Sequence, residues 1–175
     1  VILAGGKGTR LNDIARDIPK PMVPVLGKPI LEHQVTSLLR AGVEDIIMIT
    51  GHLSHVIEDY FGNGTRYGLR IRYFVEEIPL GTTGGIKMVE DMLEENFLVL
   101  YGDVMMSVDF NRMLEFHRVK RSQCTLALHP NDHPYDSDLV EIDENDRVVA
   151  FHPKPHPPNF EYHNLVNAAL YVLSH

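Results

Sequence analysis

Apolar positions along the chain fall into two rhythms that alternate with each other. Val1–Leu3, the Ile46-Ile47-Met48-Ile49 run within Asp45–Thr50, and Phe97–Tyr101 are short and continuously apolar. That is the pattern of strands buried on both faces of a parallel sheet. Leu69–Val75 alternates Leu, Ile, Tyr and Val on one face and also reads as a strand. Between these runs the period changes to that of a helix. Ile30–Ala41 carries apolar residues at 31, 35, 38 and 39, opens after Pro29 and stops at Gly42. His52–Phe61 reads as a short helix closed by Gly62-Asn63-Gly64, and Thr83–Glu94 as a helix with Ile86, Val89 and Leu93 on one stripe. Asp109 is placed to cap a helix running to Lys120. Strands follow at Gln123–His129, Leu139–Asp143, Arg147–Phe151 and Asn167–Leu173, the middle pair a hairpin around Glu144-Asn145-Asp146. The β-α-β alternation predicts an α/β domain, doubly wound, with a mostly parallel, mixed sheet. Ligands of such sheets sit beyond the carboxyl ends of the strands, here after Leu3, Thr50, Val75 and Tyr101.

Composition narrows what such a domain does. An apolar fraction of 44% over 175 residues is enough to form a core, so disorder is excluded. A net charge of −8, from 16 Lys and Arg against 24 Asp and Glu, argues against a broad phosphate-tracking surface and hence against nucleic acid. No apolar run approaches 18 residues, so no membrane-spanning helix is expected. The single cysteine, Cys124, lies in an apolar alternation and is expected to be a buried thiol. With no disulfide and no signal peptide, the reading is a reducing, cytoplasmic setting. The stretch His152–His163 holds four prolines between two strands and reads as an ordered loop. A final strand with no following cover reads as one catalytic domain, residues 1–175, truncated at its C-terminus.

The first candidate chemistry lies at the ligand edge, in Ala4-Gly5-Gly6-Lys7-Gly8-Thr9-Arg10-Leu11. Its glycines allow backbone N–H groups to approach phosphate oxygens, and Arg10 adds a fork-shaped donor. It is not a dinucleotide fingerprint, which needs Gly where Leu11 stands, nor a P-loop, which needs Ser or Thr where Gly8 stands. The next segment, Ile18-Pro19-Lys20-Pro21-Met22, brackets Lys20 between two prolines and so presents its ammonium in a fixed direction.

Taken jointly, G-G-x-G-T-R-L followed by P-K-P-M resembles the sugar-phosphate nucleotidyltransferases, and the resemblance extends over the whole chain. It implies a Rossmann-like nucleotide-diphospho-sugar transferase fold. It also implies that Leu3, Ala4, Gly5, Gly6, Gly8 and Thr9 bind nucleotide, with Arg10 and Lys20 on the triphosphate. Leu80-Gly81-Thr82-Thr83-Gly84-Gly85 looks like the family's second glycine loop along the nucleobase, bringing in Gly81 and Thr82. Gly102-Asp103-Val104 looks like its metal-binding strand end, where Asp103 holds Mg²⁺. Phe151-His152-Pro153-Lys154-Pro155 resembles the segment whose lysine, here Lys154, meets the sugar phosphate, and Asn167-Ala168-Ala169-Leu170-Tyr171 the sugar-contacting strand. Pro153 replaces a usual Glu, a role that Glu161 or Asp136 is expected to take, and Ala169 replaces a usual Gly. Within the family the wording around Asp103 and over His129–Val140 is most similar to manno-heptose 1-phosphate and mannose-1-phosphate guanylyltransferase-type domains. Some of these are fused to a sugar-phosphate phosphatase; a homo-oligomer is the other assembly considered. Complete enzymes of the family carry a second metal-binding aspartate further on, which nothing after Asn167 supplies.

The implied reaction transfers a nucleotidyl group, GTP favoured, to a manno-heptose or hexose 1-phosphate, giving NDP-sugar and pyrophosphate. Glu76, five residues before Gly81, is the candidate guanine reader, because a carboxylate accepts from guanine N1–H and N2–H₂ together. The alternative is a non-catalytic, nucleotide-sugar-sensing regulatory subunit; Arg10, Lys20, Asp103 and Lys154 all being present favours the enzyme. His52 and His55 lack a third ligand at zinc spacing, and Asp136 and Asp138 read first as turn formers.

Overall fold

The computed structural model describes residues 1–6, 18–157 and 159–175. Strands β1 (Ile2–Leu3), β4 (Asp45–Thr50), β5 (Arg70–Val75) and β6 (Asn96–Tyr101) pair in parallel, with β1 between β4 and β6 and β5 outside β4. The last strand, β10 (Val166–Ser174), runs antiparallel to β6 on its other side. It also pairs antiparallel with β7 (Cys124–His129) and β8 (Leu139–Ile142), and β9 (Val148–His152) closes the edge against β8. The mostly parallel, mixed sheet expected from the alternation is therefore present.

Continuous apolar runs in the parallel strands feed two layers at once. Ile46 and Met48 of β4 face a core with Ile2, Leu98, Leu100 and Ile71. That face is covered by α1 (Ile30–Arg40) through Leu31, Val35 and Leu38, by α2 (Ser54–Phe61) through Ile57 and Phe61, and by Phe110 of α4 (Phe110–Lys120). Ile47 and Ile49 point the other way, onto Val89 and Leu93 beyond α3 (Gly81–Met88). Helices thus lie on both faces. Burying Phe61, which is 2% exposed, is the kind of contact whose loss to alanine costs about 3–5 kcal/mol.

Several local expectations shift. The helix expected over Thr83–Glu94 is interrupted at Val89, whose φ of −111° leaves the helical region, and resumes as one 3₁₀ turn at Glu90–Met92. Val89 is 1% exposed, so its packing under the sheet outweighs helical continuity. The short hairpin of β2 (Pro24–Val25) and β3 (Lys28–Pro29) was not legible in the pattern. Asp109 caps α4 as expected, its carboxylate accepting from the Arg112 backbone N–H at 3.0 Å. Cys124 is exposed, contrary to the buried thiol expected. Strand parity explains this: the face of β7 turned to α4 holds Thr125 and Ala127, which puts Cys124 on the opposite one. No helix among the described residues is long and apolar enough to cross a membrane.

Two buried polar groups tie elements together, Glu32 joining α1 to α2 and to the β2–β3 hairpin and His117 joining α4 to the sheet. Glu32 of α1 accepts from Lys28 Nζ at 2.8 Å and from the Tyr60 hydroxyl of α2. The Lys28 hydrogen bond holds the Glu32 carboxyl below the usual carboxylate range, and the Tyr60 phenol is pushed up to about 12 by Glu32. His117 of α4, 1% exposed, lies 2.8 Å from Thr125 Oγ1, 3.1 Å from Asn96 Oδ1 and 3.0 Å from Ser174 Oγ. Burial lowers its pKa. The unfolded chain therefore takes up the His117 proton first on acidification, near pH 6.5, and stability falls as pH drops through that value. The Glu32 contribution is lost lower, below the unfolded carboxylate pKa of about 4.3. Denaturant midpoints measured from pH 8 to pH 3 are expected to fall in both windows. His117→Gln, which has no group that titrates in this range, should flatten the upper fall; an unchanged profile refutes it.

Candidate active site

The carboxyl ends of β1, β4, β5 and β6 open onto a cavity of about 340 Å³. Leu3, Ala4, Gly5, Gly6, Lys20, Glu76, Gly81, Thr82 and Asp103 all line it, so the structure brings together nine of the residues singled out in the sequence. Ile49, Pro21, Pro79 and Tyr101 line it too. Sequence reasoning did not assign these four as site residues, although it named Pro21 as a bracket of Lys20 and Tyr101 as a strand end. Ile49 and Tyr101 sit at the ends of β4 and β6, where the sheet rule already points. Gly8, Thr9 and Arg10 lie outside the described residues. A larger hollow of about 520 Å³, with Asp45, Arg70 and Arg72 in its lining, is at the opposite ends of the same strands.

Close backbone approach builds the cavity floor. A Cβ on Gly51 would sit 2.9 Å from the Gly5 carbonyl oxygen and 3.3 Å from Gly5 Cα, so the chain after β4 touches the chain after β1 directly. Glu76 follows β5 and is fixed by its N–H donating to Thr50 O at 2.8 Å. Its carboxylate lies between the loop after β1 and the first turns of α3, which hold the second glycine cluster. A Cβ on Gly5 would be 3.0 Å from Glu76 Oε2, and one on Gly85 would be 2.7 Å from Oε1. The glycines at 5 and 85 thus leave the room that the carboxylate occupies.

Lys20 stands in a 3₁₀ turn, Lys20–Met22, between Pro19 and Pro21, both buried, while its own side chain is 32% exposed. Its Nζ donates to Asp103 Oδ2 at 3.4 Å. An ion pair this long and this exposed contributes at most about 1 kcal/mol, so a polyanion or a cation displaces either partner cheaply. On the far wall Thr82 Oγ1 and Tyr101 Oη are 2.6 Å apart, and the Tyr101 ring lies 6.4 Å from that of Tyr171. Tyr171 Oη accepts from Asn167 Nδ2 at 2.6 Å, linking Asn167 to the cavity wall through two tyrosines.

The remaining candidates lie elsewhere. Lys154 is exposed and outside the cavity lining, its backbone N–H donating to Asp138 Oδ1 at 3.0 Å. Glu161 lines a separate groove with Glu141, His152 and Tyr162, and Asp136 pairs with His133 at 2.9 Å. Ala169, with φ of +56°, occupies an irregularity in β10 and donates its N–H to Asn167 Oδ1 at 3.0 Å. That left-handed conformation is one glycine adopts without strain. Among the described residues no cluster of three or more His, Cys, Asp or Glu is arranged to hold a metal.

The sequence profile described as nucleotidyl transferase matches residues 1–175. The chain belongs to the nucleotidyl transferase family. It is 42% identical, over 98% of its length, to a mannose-1-phosphate guanylyltransferase of Mycobacterium tuberculosis, and spans 47% of that relative, about half its length. It is 36% identical to a D-glycero-alpha-D-manno-heptose 1-phosphate guanylyltransferase of Aneurinibacillus thermoaerophilus, covering 98% of the chain and 73% of the relative. Among solved structures it is similar to HddC from Yersinia pseudotuberculosis complexed with GMP-PN, with a TM-score of 0.82 at 30% identity, over 99% of this chain and 75% of that one. The family's fold is thus the fold seen here.

Gly51→Ala places a methyl group against backbone that cannot step aside. It should lower unfolding free energy by about 1–3 kcal/mol, the cost of overpacking. Urea denaturation checks this, and a wild-type midpoint contradicts the close approach.

Proposed function

We propose that this chain carries the nucleotide-binding half of the reaction that joins an NTP, with GTP favoured, to a manno-configured heptose or hexose 1-phosphate. The observation that carries the reading is the cavity at the strand ends, where Lys20, Asp103, Glu76, Gly5, Gly6 and Gly81 share one space of about 340 Å³. The reaction is in-line attack by a sugar-phosphate oxygen on the α-phosphorus, forming one P–O bond while the bond to pyrophosphate breaks. The attacking oxygen is already anionic, so no Ser, Cys or His nucleophile is needed. Holding two polyanions in line and stabilising their charge is the whole task.

Each residue then has a part. The backbone of Leu3 to Gly6 borders the nucleotide, Gly8 and Thr9 bind it too, and Arg10 meets the triphosphate. Lys20 leaves Asp103 to meet the triphosphate, and Lys154 meets the sugar phosphate. Gly81 and Thr82 border the base, and Asn167 and Glu161 the sugar. Asp103 offers one hard, partly exposed carboxylate, which fits Mg²⁺, an ion that takes one or two carboxylates and completes its shell with water and substrate phosphates. When bound, that ion screens the repulsion between the phosphates. Glu76, held between Gly5 and Gly85, accepts from guanine N1–H and N2–H₂. GMP-PN in the HddC relative supports a guanine nucleotide. The reaction belongs to a reducing, cytoplasmic setting.

Pyrophosphate release measured with GTP, CTP, UTP and dTTP, each against several sugar 1-phosphates, tests the reading. GTP with a manno-configured sugar phosphate is expected to turn over fastest; a preferred pyrimidine overturns the Glu76 assignment, and nucleotide binding without release favours the sensing subunit. Lys20→Ala should lower kcat/KM about 10²–10³-fold, the scale of losing one charge-stabilising donor. Near wild-type turnover would refute its role.

A further inference from the structure

Resting on the reading of Asp103 as the metal-holding carboxylate, we propose that Gln34 is the residue that positions it. Gln34 lies in α1, 3% exposed, far in sequence from the cavity. Its Nε2 carries two hydrogens, and both are used on one turn: it donates to Tyr101 O at 2.8 Å and to Val104 O at 2.6 Å. Those two carbonyls flank Gly102-Asp103. The amide therefore clamps the main chain on either side of Asp103, from a helix anchored by fully buried Leu31 and Val35. Its Oε1 is buried with no partner among the described residues, so the side chain's hydrogen bonds there are all donations.

The turn needs this clamp because it barely holds itself. Its own closing bond, from Val104 N–H to Tyr101 O, is long at 3.4 Å. Gly102 is fixed before it, donating to Leu3 O at 2.9 Å, but nothing in the β-ladder fixes Val104 after it. Among the described residues the Asp103 side chain pairs with Lys20 alone, and that long, exposed contact must open when a triphosphate arrives. Gln34 then still holds the main chain that carries the carboxylate. Gln is suited to the role: Leu or Met fills the same space without donors, and Glu turns a carboxylate toward two carbonyl oxygens. Supports of this kind, one shell behind a metal ligand, change metal affinity about ten- to a hundredfold when removed.

The test uses Mn²⁺ as the probe, its binding to the full chain followed by electron paramagnetic resonance with GTP saturating. Folding is checked by circular dichroism. Gln34→Met is expected to weaken Mn²⁺ binding about ten- to a hundredfold. It should also speed hydrogen exchange at Gly102–Met105 measured without metal. Gln34→Glu, which turns a carboxylate toward the two carbonyl oxygens in place of the two donated hydrogens, should weaken Mn²⁺ binding at least as much. A folded Gln34→Met with wild-type Mn²⁺ affinity overturns the proposal, even if its exchange is faster, since the residue is then only structural. Should that variant not fold, the wild-type protein decides by nuclear magnetic resonance. Gln34 side-chain amide protons exchanging as fast as free glutamine overturn the clamp, and strong protection supports it. Asp103→Asn separates the two levels: if it leaves Mn²⁺ affinity untouched, the metal assignment fails, while the exchange data still report on the clamp.

Discussion

A strand of two residues holds this structure together. Ile2 and Leu3 sit between β4 and β6, and among the described residues no other element connects those strands within the sheet. Immediately after it, the Ala4 N–H donates to Ile49 O at 2.7 Å, and Leu3 O accepts from the Gly102 N–H at 2.9 Å. The same few hydrogen bonds that join two halves of a parallel sheet therefore set the distance between the loop after β1, Gly51 after β4 and Asp103 after β6. Sheet register and site geometry are one constraint. A slip of a single residue in β1 would send Ile2, 0% exposed, toward the opposite face and separate every group around the cavity.

Charge is organised against the molecule's overall balance. A net charge of −8 would repel a nucleoside triphosphate from most of the surface. At the cavity Lys20 and Asp103 neutralise one another at 3.4 Å until a more highly charged partner competes. The Glu76 carboxylate, by contrast, sits close against the backbone at Gly5 and Gly85. One carboxylate is thus engaged with a cation and the other packed against main chain.

Much of this was legible in the sequence because it depends on local rules. Apolar periodicity marks the strands and helices, Asp109 marks a cap, and the glycine loops and the Pro-Lys-Pro bracket fall at the strand ends where parallel sheets bind ligands. What was not legible depends on contacts distant along the chain. Gln34 reads as an ordinary polar residue on a helix until β6 is folded beside it. Nothing in the sequence pattern singles out His117, whose partners are Asn96, Thr125 and Ser174, on three strands. Cys124 was misplaced because alternation reveals which residues share a face but not which face the helix covers. The Thr83–Glu94 helix was drawn too long because periodicity does not register that Val89 packs under the sheet. Lys154 came from a motif resemblance and Glu161 from a departure from it at Pro153, and the fold leaves both outside the lining of the cavity.

The position of β10 has a consequence for how the molecule is made. The final strand lies in the interior of the sheet, inserted between β6 and the hairpin of β8 and β9. On a growing chain, β6 keeps an unpaired apolar edge from the time Tyr101 leaves the ribosome until residues 166–174 follow. At synthesis rates of about 5–20 residues per second, that edge is open for several seconds. An open edge of this kind invites pairing with another chain. The interval between the synthesis of β6 and β10 is therefore when the nascent protein is most exposed to aggregation, and when a chaperone that shields strand edges has most effect.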